Sequence, residues 1–227
     1  MGLSGGLDSS TVAKLSVMAL GRDEVLGLIM PSGSLDEDAV RVARMLGIEY
    51  KVIDISEIVS DMVGACGLDG GLIPIGNLKA RIRMALLYYH ANVMGRIVVG
   101  SGNKSELLVG YFTKYGDGGV DILPLGDLYK TQVRMLAEYL GIPKDIVWKT
   151  PTAGLWPGQT DEGELGMPYE RLDLILYGIH ELGMNKEEIS REFGIPRADV
   201  ERVEEMVRNS EHKRSMPPIP KVQGLRG

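Results

Sequence analysis

A chain of 227 residues, 44% of them hydrophobic, can bury the core of one large domain, with or without a small appendage. No apolar run approaches the roughly 20 residues of a membrane span, no secretory signal is visible, and a lone cysteine, Cys66, excludes a disulfide framework and a cysteine-built metal site. The expectation is a cytoplasmic protein without a membrane partner. Its formal charge of −6 argues against nucleic acid as the main partner, so any polyanionic ligand must be held by locally placed cations and backbone donors.

The chain begins with Ser4-Gly5-Gly6-Leu7-Asp8-Ser9-Ser10, which reads as a glycine turn running straight into a helix with Val12, Leu15 and Ala19 on one face. A helix starting there presents unpaired N–H groups and its positive end to an anion, a setting suited to phosphate. Ser4, Ser9 and Ser10 add hydroxyls, and Asp8 offers an oxygen for a magnesium ion riding on that phosphate. The Walker pattern is absent. Only three residues precede Ser4, although such a loop should be fed by a strand. The expectation is that the usual first helix and strand are missing, the alternative being a very short strand.

Further along, 24–30 reads as a buried strand, 36–47 as a helix with acids in its first turn, and 48–55 as a second strand. Residues 64–76 are glycine-rich and read as loop. The longest periodic stretch, 77–94, repeats Leu78, Ile82, Ala85, Leu86, Tyr89 and Val93 at helical steps, and 96–100 reads as a short third strand. Alternating short strands and helices predict an α/β fold: a doubly wound parallel sheet with helices on both faces. Its ligand belongs beyond the strands' carboxyl ends, where both the Ser4–Ser9 loop and the segment after Gly100 fall. Residues 155–167 have turn composition and suit a mobile cover. A helical C-terminal part follows over 169–182, 185–193 and 196–209, and 223–227 reads as a frayed tail. The last two helices flank Gly194-Ile195-Pro196 like a helix-turn-helix, but five basic against seven acidic residues over 185–209 is the wrong sign for a groove binder. The domain division is thus 1–150 as the α/β body, 151–167 as the loop and 168–227 as the helical part of the same domain.

The Ser4 to Ser10 stretch resembles the phosphate loop of the N-type ATP pyrophosphatases, whose fold is adenine nucleotide α-hydrolase-like. Asn77-Leu78-Lys79-Ala80-Arg81-Ile82-Arg83-Met84, Gly100-Ser101-Gly102-Asn103-Lys104-Ser105-Glu106, Phe112-Thr113-Lys114-Tyr115-Gly116-Asp117 and Glu211-His212-Lys213-Arg214 resemble ammonia-dependent NAD synthetase. Pro151-Thr152-Ala153-Gly154-Leu155 and Asp161-Glu162-Gly163-Glu164-Leu165-Gly166 are similar to that family too.

The resemblance implies a ligase that adenylates deamido-NAD with ATP, releases pyrophosphate, and lets ammonia displace AMP to give NAD. It implies magnesium as cofactor, ATP as co-substrate, and a homodimer. By the same resemblance Ser4, Gly5, Gly6, Asp8, Ser9, Ser10, Arg81, Ser101, Lys149 and Thr160 meet ATP. Asp8 and Glu106 hold the metal; Lys114, Tyr115, Asp117, Asp121, His212 and Lys213 meet deamido-NAD; and Asp8, Lys149 and Lys114 are the catalytic candidates. Nothing resembles a glutaminase domain, so ammonia comes free or from a separate protein. The sequence departs from the family pattern at Gly154, where an acid is common, and at Asn103, where an Asp-His pair is common; Asn103 cannot carry an acid's charge. The alternatives are another ligase of the superfamily, a truncated or degenerate ATP-binding relic and, from another class, the helix-turn-helix module.

Overall fold

The computed structural model describes residues 1–68 and 70–221. Strand β1 (Leu26–Ile29) is buried along its whole length and pairs in parallel with β2 (Glu49–Val52), Leu26 opposite Glu49 and Ile29 opposite Val52. Residues 1–3 occupy the other side of β1: Gly2 bridges to Leu28, the Leu28 N–H donates to the Met1 carbonyl at 2.8 Å, and the Leu3 N–H donates to the Leu28 carbonyl at 2.9 Å. The residues that lead into the phosphate loop thus lie alongside β1 through a single parallel bridge. The expected third strand at 96–100 reduces to one parallel bridge, Val99 to Ile122, flanked by Gly100 N–H to the Ile122 carbonyl at 2.9 Å.

The apolar run of β1 is divided between two cores because successive side chains of a strand point to opposite faces. Leu26, Leu28 and Met30 pack with Ile55, Val59 and Ile82 beneath helices α3 (Ser56–Cys66) and α4 (Leu72–Met94). Val25 and Ile29 face the other way, into a core with Leu3, Val12, Val42 and Val133, formed by α1 (Leu7–Leu20), α2 (Glu37–Leu46), α6 (Lys130–Tyr139) and α7 (Lys144–Val147). With both faces covered, continuous hydrophobicity is what this strand requires. Val12 is fully buried as expected of α1, but Ala19 is exposed, since only the first half of that helix lies under other elements.

The glycine-rich stretch 64–76 is not a loop throughout. Helix α3 runs through Gly64 to Cys66 and α4 begins at Leu72, so only a short connection separates them. Glycine at α3's end serves as a left-handed cap (Gly67, φ 63°), which composition alone reads as coil. A third core joins α5 (Lys104–Val109), α8 (Asp161–Leu165), α9 (Tyr169–His180), α10 (Lys186–Phe193) and α11 (Arg197–Asn209) through Val109, Leu165, Leu172, Ile175, Ile189 and Val203. Leu172 and Ile175 are fully buried, whereas Leu182 lies past the end of α9 and is exposed. The short helix α12 (Glu211–Arg214) follows; the tail 223–227 lies outside the described residues.

Candidate active site

The phosphate loop is shaped by hydroxyls and one close approach. Ser4 and Ser9 join through their Oγ atoms at 2.9 Å, and the Ser4 N–H donates to Ser9 Oγ at 3.2 Å. The residue capping α1 is Gly6, which offers no side chain to the first N–H groups of that helix and so leaves them for a ligand. Gly5 has φ +78°, and a Cβ there would stand 2.5 Å from the Ala39 nitrogen, so the loop lies directly against the first turn of α2. Ser10 is fully buried and donates to the Gly6 carbonyl at 2.7 Å, bracing the loop from behind.

Asp8 and Glu106, the expected metal carboxylates, do come together, and Lys130 lies between them. This lysine, 3% exposed at the first position of α6, donates to Asp8 Oδ2 and to Glu106 Oε1, the latter at 3.2 Å. Asp161 joins the cluster from α8, accepting from Tyr169 Oη at 3.1 Å, and the Tyr169 ring lies 5.1 Å from Lys130 Nζ. Two carboxyl groups thus hold one ammonium, and a third lies beside them. Burial pushes the Glu106 carboxyl up to about 8 against the opposing pull of Lys130, and burial likewise raises Asp161. Burial opposes the charge on Lys130, but Asp8 and Glu106 outweigh it and raise its pKa. Lys130 was not found from the sequence. Its one signal was position: a lysine in the first turn sits at the end where the helix dipole disfavours a cation.

Asn103 completes this cluster in a way that its charge alone does not suggest. Its Oδ1 accepts from the Glu106 N–H at 3.1 Å while the Asn103 N–H donates to Glu106 Oε2 at 3.2 Å, a capping box that aims the glutamate. With Oδ1 so engaged, Nδ2 is free to donate to Asp8 Oδ1 at 2.9 Å. A carboxylate could not make that last bond.

The remaining expected residues are distributed as follows. Lys149 bonds to Asp36 at 2.7 Å and Asp38 at 2.8 Å on the first turn of α2, the turn that abuts Gly5. Lys79, Arg81 and Arg83 diverge, as steps of two along a helix dictate: to the Leu155 carbonyl at 2.9 Å, to the Lys114 carbonyl at 3.3 Å, and to the Met30 carbonyl at 3.0 Å. Thr160 caps α8, accepting from the Gly163 N–H at 3.2 Å, and Ser101 is half-buried just before α5. Lys114 donates to the His212 carbonyl, and Lys213 to the Gly110 and Phe112 carbonyls at 2.6 and 2.7 Å, so the C-terminal segment is fastened to the 110–121 loop. Tyr115, 55% exposed, holds φ +60°, a strained value for a non-glycine residue. Asp117 accepts from the Thr113 N–H at 2.9 Å. Asp121 accepts from the Val98 N–H at 2.7 Å and Tyr88 Oη at 3.0 Å, which pins the loop to the bridge at Val99. The cover segment is fastened too: Gln159 accepts from the Leu155 N–H and donates to Glu164, each at 2.8 Å, and Leu155 and Trp156 lie against Gly76 of α4.

Residues 1–217 match the family described as NAD synthase. The chain is 54% identical to the NH(3)-dependent NAD(+) synthetase of Archaeoglobus fulgidus over 99% of its own length and 89% of that protein's. It is 52% identical to the protein of the same name from Pyrococcus horikoshii, covering 99% and 88%. Among solved structures, an NMN synthetase from Francisella tularensis superposes with a TM-score of 0.83 at 38% identity, over 96% of this chain and 87% of that one. The NH3-dependent NAD synthetase from Campylobacter jejuni gives 0.81 at 32%, over 97% and 87%. A match spanning nearly the whole chain, together with half of all residues identical, places this protein in the NAD synthase family.

Proposed function

We propose that this protein makes NAD from deamido-NAD, ATP and ammonia, as a ligase forming a C–N bond through an adenylated intermediate. The observation that carries the reading is the Asp8–Lys130–Glu106 cluster, tied together by Asn103 and joined to the phosphate loop through Asp8. The nicotinate carboxylate attacks the α-phosphorus of ATP and pyrophosphate leaves; ammonia then attacks the acyl carbon and AMP departs. Such a reaction concentrates anionic oxygens, and preorganised donors that need not reorient stabilise them best. Ser4, Ser9 and the uncapped start of α1 hold the departing pyrophosphate, with Gly5 and Gly6 allowing close approach. Lys130 offers its ammonium to the phosphate oxygens from a site it already occupies. Lys149, beside the loop, leaves Asp36 and Asp38 for ATP. Lys114, Tyr115, Asp117, Asp121, His212 and Lys213 frame the dinucleotide side, with the segment after Pro151 excluding water from the acyl-adenylate.

The residues fit Mg2+: the carboxyl groups of Asp8 and Glu106 converge on one point, with Asp161 beside them, and such oxygens are the donors a hard divalent cation takes. Asp8 and Glu106 would hold it, with phosphate supplying further oxygens, and when bound it would neutralise charge gathering on the phosphates.

We assign the reaction to the cytoplasm; no helix among the described residues is long and apolar enough to cross a membrane. We also propose a homodimer closed over α3 and α4. Ile58 and Met62 on α3, and Tyr89 and Val93 on α4, are pairs one helical turn apart with 37% to 70% exposure, an apolar area that a second copy would cover. Sedimentation should give twice the chain mass, and Val93→Glu should halve it; a monomeric wild type rules the dimer out.

The functional test is an assay with deamido-NAD, ATP, Mg2+ and ammonium in which NAD, AMP and pyrophosphate are followed together. Equal yields are expected. Preferential turnover of nicotinate mononucleotide, the reading favoured by the likeness to the Francisella enzyme, would shift the substrate to the mononucleotide. No AMP with either substrate would refute the ligase.

A further inference from the structure

One buried acid lies behind the cluster and touches none of its charged groups. Asp173, on α9, is 5% exposed and accepts from two directions. Its Oδ1 takes the hydroxyl of Ser105, itself fully buried, at 2.5 Å, and its Oδ2 takes the Thr131 N–H at 2.8 Å. Ser105 Oγ in turn accepts the Lys130 N–H at 2.9 Å. The first two N–H groups of α6 are therefore satisfied by side chains from two other helices, the second through Asp173 and the first through Ser105. A carboxylate at a helix start is also favoured by the dipole.

The neighbours of these atoms make the arrangement functional. Ser105 precedes Glu106 on α5, Thr131 follows Lys130 on α6, and Tyr169, one turn before Asp173 on α9, underlies the Lys130 ammonium. We propose that Asp173, acting through Ser105, is a positioning residue: it locks the starts of α5 and α6 together so that Lys130 is held between Asp8 and Glu106 before substrate arrives. A lysine side chain has several rotatable bonds, and a shift of its backbone by an ångström would carry the ammonium away from both carboxylates. The inference rests on the role given to Lys130 above.

The test uses Asp173→Asn and Ser105→Ala in the full chain, with steady-state NAD formation and melting temperature measured for each. Asparagine keeps the shape but cannot accept on both arms; alanine removes a single oxygen. Each variant is expected to lose at least fivefold in kcat while KM for deamido-NAD stays within twofold. The double variant should fall by less than the two single losses combined, because both share the Ser105–Asp173 bond. A smaller loss in kcat, a larger rise in KM or additive losses would overturn the proposal, since a residue that only stabilises the fold gives none of the expected pattern. Should Asp173→Asn fail to fold, Ser105→Ala decides the matter by the same thresholds for kcat and KM. Wild-type protein that forms no NAD refutes the proposed function; wild type that does, beside variants of unchanged kcat, refutes only the role of Asp173.

Discussion

Lys130→Met is expected to lower kcat by about 100- to 1000-fold, the size of effect that follows removal of one preorganised charge-stabilising donor. Methionine fills nearly the same volume, so the loss reports charge rather than packing. Steady-state NAD formation at saturating substrates measures it, and a variant within threefold of wild type would show that Lys130 is not part of the machinery. Stability should fall as well. Lys130 is the cation shared by Asp8 and Glu106, and removing one partner of a buried pair costs about 3–5 kcal/mol. The pH dependence has a definite sign. Burial holds the Glu106 carboxyl near 8, above its unfolded value of 4.5, and Lys130 is the largest influence lowering it, so its loss raises the group further. An acid raised in the folded state costs stability that is fully present above its folded pKa and is relieved as pH falls through it. The variant's melting temperature should therefore lie further below wild type at pH 9 than at pH 6; the reverse order would contradict the cluster's electrostatics.

Gly5→Ala should be comparably damaging for a different reason. The residue holds φ +78°, and an added Cβ would meet the Ala39 nitrogen at 2.5 Å and the Asp38 carbonyl carbon at 2.8 Å. Both neighbours are backbone and cannot swing aside, so either the loop or the start of α2 must move. A displacement of about 1 Å costs on the order of 100-fold in catalysis, and the dihedral alone costs about 1–3 kcal/mol. The loss should appear in kcat/KM for ATP. Gly194→Ala separates the two contributions: Gly194 has φ +65° at the end of α10, with nothing within 4 Å of its Cβ position. That variant should lose stability with unchanged kcat/KM. Equal behaviour of the two would mean that the contact between loop and α2 is irrelevant.

How much of this was legible in the sequence depends on the range over which each signal acts. The glycine turn before α1, the acid-started helix α2 and the long periodic helix α4 are set by neighbours a few residues apart; the first two lie where local pattern placed them, and α4 ends at Met94 as expected but begins at Leu72 rather than at residue 77. The split of β1 between two cores was implicit in its unbroken hydrophobicity. Helices α3 and α6 were missed because Gly64 within one, and a tyrosine and lysine opening the other, are poor local helix signals that tertiary contacts rescue. The same applies to the site. Asp8, Glu106 and Asp161 sit in recognisable motifs, whereas Lys130 sits in none and joins them only through packing. Asn103 illustrates the converse: composition recorded an absent charge, and only geometry revealed the amide donor that Asp8 requires.

The fastening of the C-terminal segment has a consequence for the order in which the protein is made. Lys213 binds the Gly110 and Phe112 carbonyls across 103 and 101 residues, and Arg214 reaches the Leu107 carbonyl across 107. A ribosome must therefore synthesise the chain through Lys213 and Arg214 before these ties can close, and long-range closures of this kind are entropically slow. A nascent chain that already carries a formed phosphate loop still lacks the ties on its dinucleotide side. Premature termination before Lys213 leaves that half of the site without its clasp, however well the α/β body has folded.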